Sequence, residues 1–361
     1  MLSACARDRI EPVVVDDAPV QEVVHAGDEA DLRKLPLVTH SEKDVAPYVT
    51  AGAVIARDPA SGRRNVSFNR MMLVGAREAG IRMMPPQQLG VIQARAEQAG
   101  QDLPVAVAIG LHPVDALAAA TSLPPGEDEL ELAGGLRGEP LRLACCVSVD
   151  LEVPADAEIV IEGFVPANVR EPEGPFGDFL EFYVPEMRNH RLHVTAITHR
   201  SRPIYQTMVA GSREDVNLLG LSRETDIADA VERTGADLVS ARVGPTILSC
   251  ILAIRQRYPG EAKNVGLAAL GAYQWLKYCI VVDHDVNVDD FDDVWWAVAS
   301  RSSPARAIVV AVGAPAFPRD AHGIHDSRAI VDATIPFDEW SDYERRIPPG
   351  GPPLNLDDWI A

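Results

Sequence analysis

Apolar residues recur in short blocks along this chain, and the blocks divide into strand-like and helix-like periods. Residues 13–15 and 23–24 are strand-length valine runs, and 28–36 reads as a short helix stopped by Pro36. Runs 48–56 and 66–74 have strand character; Asp58-Pro-Ala-Ser-Gly62 between them is hairpin-turn chemistry. A helix is predicted over 87–99, a buried strand over the continuous apolar run 103–110, and a short helix over 115–120. Strands over 141–149, 158–164, 192–198 and 203–208 complete a strand-rich region, with a polar connection over 149–157. After Gly211 the texture changes. Helical stretches (214–219, 224–234, 260–273, 293–300) alternate with strand-like ones (236–243, 279–283, 307–313), which is the pattern of an α/β layer.

The expected organisation is an extended lead-in over 1–44, a mostly β domain over 45–211, an α/β domain over 212–336 and an irregular tail over 337–361. The tail carries Pro-Pro-Gly-Gly-Pro-Pro at 348–353. In class terms this is α+β followed by α/β.

Charge narrows the functional field. Lys+Arg is 33 against Asp+Glu 53, a formal net charge of -20 over 361 residues. Such a surface repels phosphate backbones and anionic lipid, so neither nucleic acid nor membrane is an expected partner. No apolar stretch approaches the ~20 residues of a membrane span, and residues 1–8 lack a signal-peptide core. Cys5, Cys145, Cys146, Cys250 and Cys279 form no CxxC pair and fit reduced thiols in a cytoplasmic protein.

Three clusters could carry chemistry. In Glu171-Pro-Glu-Gly-Pro-Phe-Gly-Asp178, glycines and prolines specify a tight loop that can aim Glu173 and Asp178 at one point. Two carboxylates sharing a low-dielectric site cannot both ionise easily, which is how one becomes a general acid. Spacing alone fits a surface turn with two solvated acids better. In Arg63-Arg-Asn-Val-Ser-Phe-Asn-Arg70, Asn65, Ser67 and Asn69 share a strand face while Phe68 and Arg70 take the other. That face is either a lined pocket or a wet edge, and Arg70 could clamp a carboxylate or phosphate. In Gly126–Gly135, carboxylates could hold Mg2+ or Mn2+ with a phosphate, or form a solvated acidic loop. The histidines show no zinc spacing, and no nucleophile elbow, P-loop or dinucleotide fingerprint is present.

Taken in order, several segments together resemble the UbiD family, decarboxylases that use prenylated FMN. They include Asp31-Leu-Arg-Lys-Leu-Pro, Tyr48-Val-Thr-Ala-Gly, Asn65 to Arg70, Glu129-Leu-Glu-Leu-Ala-Gly, Glu173-Gly-Pro-Phe-Gly-Asp, Thr195-Ala-Ile-Thr-His-Arg, Val282-Asp-His-Asp and Asp332-Ala-Thr. The resemblance implies a split β-barrel flavin domain followed by a C-terminal α/β domain that builds a homodimer or larger homo-oligomer. It implies reversible, non-oxidative decarboxylation of an aromatic, heteroaromatic or α,β-unsaturated acid through a covalent flavin adduct, releasing CO2. By motif, Arg70, Glu173 and Asp178 match the catalytic residues, with Glu173 as proton donor. Asn65, Gln88 and Glu129 match the ligands of a divalent ion, Mn2+ or Mg2+, on the flavin phosphate; K+ is a further candidate cation. Ser67, Gln87, Gln88 and Lys277 match cofactor contacts, and Phe176, Phe179, Phe182 and Tyr183 are candidate ring-stacking walls for which core packing is the commoner job. A flavin prenyltransferase would supply the cofactor.

Two departures stand out. Gln88 replaces the family's usual histidine ligand, and the family's small leading α/β region is missing. They keep open a second reading, a non-catalytic or partner-dependent subunit of a larger carboxylase, and a weaker third, a metal-only decarboxylase. One tension also remains. Asn65 and Arg70 differ in strand parity yet must face one cofactor, which calls for a bulge or strong twist between them.

Overall fold

Alanine- and valine-rich runs build the centre of a sheet whose two faces are both buried. In the computed structural model, which describes residues 9–83, 87–124, 126–306, 308–309 and 326–346, the chain divides into two units, 1–225 and 226–361. Among the described residues of the first unit, ten strands form one sheet. Its path runs β3 (Tyr48–Val49), β6 (Met71–Gly75), β7 (Glu78–Ile81), β15 (Met187–His199), β11 (Ile159–Val165), β8 (Leu103–Ile109), β4 (Ala53–Arg57) and β5 (Arg64–Phe68). β2 (Val23–Ala26) and β12 (Glu171–Glu173) pair with β15 off this path. β3 and β5 are left at the ends, so the sheet is split rather than closed. A three-stranded sheet of β1 (Val13–Val14), β9 (Arg142–Cys145) and β10 (Glu152–Pro154), and the small pair β13 (Phe176–Gly177) and β14 (Tyr183–Val184), complete the unit.

The period of two sorts the apolar runs onto two cores. From β8, Leu103, Val105, Val107 and Ile109 enter one, with Val54 and Ala56 of β4 and with Leu89, Ile92 and Ala96 of α1 (Gln88–Gln98). Ala106 and Ala108 enter the other, with Ala53 and Ile55 of β4 and with residues of α2 (Pro113–Ala120) and α3 (Glu129–Arg137). Continuous apolar strands are what a doubly covered sheet requires. α3 starts where the acidic stretch 126–135 lies: the Asp128 carboxylate accepts from Leu130 N at 2.9 Å and caps the helix.

The second unit has β16 (Asp237–Val243), β17 (Ser249–Arg255), β18 (Tyr278–Asp283), β20 (Ala329–Ala333) and β19 (Ile308–Val309) in that spatial order. β17, β18 and β20 are parallel and the outer two strands antiparallel. Helix α4 (Arg213–Glu232) leads in from the first unit, and α5 (Glu261–Ala272) and α6 (Phe291–Arg301) lie between strands in sequence. α5 approaches β20 so closely at Gly266 that a Cβ there would stand 2.6 Å from an Ile330 methyl.

The mixed α/β fold with a split sheet in the first unit agrees with the expectation; several local readings need correction. The run 66–74 is two strands, because the chain leaves the sheet at Asn69 and Arg70. No strand forms over 203–208, which opens on a proline and leaves Ile204 at 71% exposure. The helix expected over 28–36 is two single turns, Gly27–Glu29 and Leu32–Lys34, the second capped by Asp31. The two helical stretches after Gly211 are one helix, α4, and β17 was not anticipated. Residues 310–313, the proline-rich segment 348–353 and Cys5 lie outside the described residues. No described helix is long and apolar enough to cross a membrane.

Register is set at one place by a missing side chain. The pairing of β11 with β15 shifts between Glu162 and Gly163, and a Cβ on Gly163 would sit 2.0 Å from the His193 carbonyl oxygen. Backbone cannot yield as a side chain can. Gly163→Ala should therefore cost roughly 3 kcal/mol or more, read as a lowered urea midpoint.

Candidate functional site

The break at Asn69–Arg70 also resolves the parity problem. Asn69 Nδ2 donates to the Arg82 carbonyl at 2.8 Å, and Arg82 N donates to the Arg70 carbonyl at 3.3 Å. Two residues pinned outside the ladder free Arg70 from strand alternation. Its guanidinium meets Glu173 as a fork: Nε to Oε1 and Nη2 to Oε2, both 3.1 Å. Asn189 Nδ2 donates to Glu173 Oε2 at 2.6 Å. Arg70 Nη1 stands 3.8 Å from Asp178 Oδ2, and the Phe176 ring lies beneath the guanidinium at 4.4 Å. Glu173 is 1% exposed, so the pair sits where Coulomb attraction is little screened. The geometry joins all three residues across a sequence separation of more than a hundred positions.

The loop bearing the two acids is built from outside. Asp44 Oδ1 accepts from Gly177 N at 2.8 Å, while its Oδ2 accepts from Ser41 N at 2.9 Å. A Cβ on Gly177 would lie 2.5 Å from Ser41 Oγ, so the strap packs closely here and Ser41 would have to turn aside for a side chain. Tyr48, fully buried, packs its ring 4.5 Å from that of Phe176. Burial first, then the Glu173 charge, pushes the Tyr48 phenol well above its ordinary range. Phe182 and Tyr183 are 65% and 40% exposed, so the core packing weighed for them does not hold; Phe179 is half-buried.

A second cluster forms around β5. Asn65 Nδ2 reaches Gln88 Oε1 at 3.0 Å and Glu129 Oε1 at 3.2 Å, and Glu129 Oε2 accepts from Val66 N at 2.9 Å. Asn65 Oδ1 is buried without a hydrogen-bond partner. Burial raises Glu129 to about 7. An orphaned amide oxygen beside a buried carboxylate that makes no ion pair among the described residues suits a hard divalent ion. Among the described residues no group of three or more His, Cys, Asp or Glu could hold a metal; two of the three expected ligands, Asn65 and Gln88, are amides. The acidic cluster is not a solvated loop here: Glu127 is paired to Arg9, Asp128 to Arg64, and Glu129 faces inward.

Other candidates are placed less closely. Ser67 Oγ donates to Asn69 Oδ1 at 3.0 Å. Gln87 is exposed at the start of α1 and gives that helix no side-chain cap. Lys277 belongs to the second unit, with its ammonium 5.8 Å over the Tyr278 ring. Asn189, Tyr48, Gly80 and Asp44 escaped sequence reasoning as site residues; only Tyr48 carried a signal, a bulky ring in an apolar strand.

Comparison with known proteins fixes the family. Residues 12–213 match the 3-octaprenyl-4-hydroxybenzoate carboxy-lyase Rift-related domain, and 216–333 match the C-terminal domain of the same carboxy-lyase. The chain belongs to the UbiD family. It is 35% identical over 341 residues to the anhydromevalonate phosphate decarboxylase of Methanosarcina mazei, covering 93% of this chain and 79% of that protein. It is also similar to the solved UbiD-class enzyme HmfF from Pelotomaculum thermopropionicum in complex with FMN. There the identity is 38% and the TM-score 0.93, over 99% of this chain and 82% of that one. The 3,4-dihydroxybenzoic acid decarboxylase AroY of Klebsiella pneumoniae is 28% identical with a TM-score of 0.88, over 98% and 79% of the two chains. This UbiD family member is thus a carboxy-lyase.

One position in the site is sterically tuned. A Cβ on Gly80 of β7 would lie 3.3 Å from Glu173 Cγ and 3.5 Å from Met72 Cβ. Gly80→Ala should keep the fold, judged by circular dichroism, but push Glu173 off the Arg70 fork. Turnover should fall roughly tenfold, as misplaced catalytic groups do.

Proposed function

We propose that the chain catalyses reversible, non-oxidative decarboxylation of an aromatic, heteroaromatic or α,β-unsaturated carboxylic acid, with prenylated FMN as cofactor and Glu173 as proton donor. The observation that carries this reading is the buried Arg70–Glu173 fork with Asp178 on its far side, in a chain of decarboxylase ancestry. HmfF has been solved with FMN and, in an evolved dimeric form 37% identical to this chain, with prFMN, which supports the cofactor. The substrate relatives range from anhydromevalonate phosphate to 3,4-dihydroxybenzoic acid. We place the cofactor site in the domain 45–211.

Losing CO2 leaves an electron pair on carbon, and the bound flavin would supply the electron sink. The protein's own task is to deliver a proton to that carbon. Glu173 lies in the most enclosed position, and Arg70 orients it and balances its charge once the proton has left. Asp178, 15% exposed and farther from Arg70, is the second candidate donor, and its partial solvent access favours reloading from water. Asn65, Gln88 and Glu129 would hold the divalent ion, Mn2+ or Mg2+, which offsets the flavin phosphate; the uncapped N-terminus of α1, beside Gln88, offers backbone donors to the same anion. Ser67 and Gln87 would add polar contacts. K+ finds no separate support.

A homodimer or larger assembly is in keeping with apolar side chains left exposed on the second unit, Trp295 at 59% and Leu267 at 47%. The described cysteines are free, which fits a cytoplasmic enzyme served by a flavin prenyltransferase. A partner-dependent role is the second reading. It is favoured by likeness to the Sedimentibacter hydroxybenzoicus vanillic acid decarboxylase ShVdcCD, solved with a second component (TM-score 0.84, 26% identity).

Glu173→Gln should retain the flavin's visible spectrum yet lose about 10²-fold or more in turnover, whereas Asp178→Asn should lose less. The reverse ranking would move the donor role to Asp178, and a wild-type protein that is flavin-loaded but inactive alone would favour the partner-dependent reading. For the cation, the sign follows from Glu129. Its proton competes with the metal below about pH 7, so the rise in melting temperature on adding Mn2+ should be larger at pH 8 than at pH 6. Glu129→Gln should abolish that difference.

A further inference from the structure

Sheet register places a fourth group against Glu173. Tyr48 of β3 pairs with Met72 of β6, and Met72 pairs with Gly80 of β7. Directly paired residues share a face, so these three form one row across the sheet. The row has a gap at Gly80, and Glu173 Cγ fills it, 3.3 Å from where a Cβ would be. Met72, Tyr48 and Phe176 then form one small apolar cluster beside the carboxylate.

Within that cluster the Tyr48 hydroxyl is buried and makes no hydrogen bond of standard geometry. A buried hydroxyl left so is costly unless a partner is at hand. Glu173 has the capacity. Oε2 already accepts from Arg70 and Asn189, but Oε1 accepts only from Arg70 Nε among these donors. A carboxylate oxygen takes about two hydrogen bonds, so one position on Oε1 is open. The charged groups that act on Tyr48 are Glu173, Arg70 and, from the strap, Asp44.

We propose that Tyr48 is a positioning residue for Glu173: its ring props Phe176 beneath the Arg70 guanidinium, and its hydroxyl gives the Glu173 carboxylate a fourth hydrogen bond when that group has lost its proton. The phenol stays neutral throughout, because burial and the neighbouring carboxylate both oppose its ionisation. Its effect is to stabilise the conjugate base of the acid, easing proton delivery to carbon. The inference rests on Glu173 being a proton carrier.

The test is a pH titration of glutamate δ-carbon resonances by 13C NMR on protein purified without flavin, with Glu173→Gln assigning the signal. Tyr48→Phe keeps the ring and removes only the hydroxyl. It should raise the proton affinity of Glu173 about tenfold, one unit in midpoint, with an unchanged circular dichroism spectrum. In flavin-loaded enzyme the limb of the kcat–pH profile should move by the same amount. Tyr48→Leu should show the same shift together with a weakened fold around Phe176. An unchanged Glu173 midpoint in Tyr48→Phe, or a shift seen only in Tyr48→Leu, overturns the proposal. Because the titration needs no turnover, its failure is separate from failure of Glu173 as donor, which Glu173→Gln in the loaded enzyme decides.

Discussion

A buried guanidinium–carboxylate fork governs how this site can be built. Removing both charges from water is expensive, and their attraction repays it only when geometry is good and the remaining donors and acceptors are met. Around Arg70 and Glu173 the fold meets those terms one by one. Two parallel hydrogen bonds at 3.1 Å join the pair, Asn189 takes a further lone pair, and the Phe176 ring covers the guanidinium face. The strap through Asp44 then holds the loop that brings Phe176. Take away Arg70 and the buried Glu173 keeps only the neutral Asn189 amide; take away Glu173 and Arg70 keeps only Asp178, at 3.8 Å, so the chemistry and the local fold are tightly coupled.

The acids of this chain are handled in contrasting ways. Glu152, Asp128 and Asp115 are each answered by arginines, Arg57 and Arg64 for the first, Arg64 for the second, Arg137 for the third. Glu129, adjacent to Asp128, is instead buried against a backbone N–H and an amide, and its proton affinity rises accordingly. A fold with arginine so near could have paired it. Leaving it unanswered, beside an orphaned amide oxygen, is how a site keeps a place for a cation. In a protein of net charge -20, that cation also makes room for a phosphate that the surface would repel.

Much of this was legible in the sequence. Continuous apolar runs placed the central strands, because each face of the sheet meets its own core. The ordered motifs identified the family and the carboxy-lyase activity, since Asn65 to Arg70, Glu129-Leu-Glu-Leu-Ala-Gly and Glu173-Gly-Pro-Phe-Gly-Asp have few reasons to recur in one order, whereas Gln88 departs from the family pattern. Strand parity misled at Arg70, because a two-residue exit from the ladder resets the alternation and nothing in Phe68-Asn-Arg-Met announces it. Asn189, Gly80 and Asp44 were illegible for another reason. Each acts through what lies opposite it after folding, across register or across a strap, and carries no local pattern of its own. The acidic run at 126–135 read as a loop by composition, yet Asp128 is a helix cap and its neighbours are the first turn.

The site's precision comes from the sheet more than from its loops. β15, thirteen residues long, pairs β12 and β7 along its first half and β11 and β2 along its second. Glu173 lies opposite Met187 on that strand, and Asn189, two residues on, reaches back to its carboxylate. A slip of one residue between β12 and β15 would turn Glu173 to the opposite face, away from both Asn189 and the opening at Gly80. The same strand is fixed farther along by the shift at Gly163, where His193 fits against bare backbone. Register set some distance from the chemistry therefore decides which way the acid points. That gives a physical reason for a glycine in the middle of a buried strand, at a position where a side chain would otherwise add core.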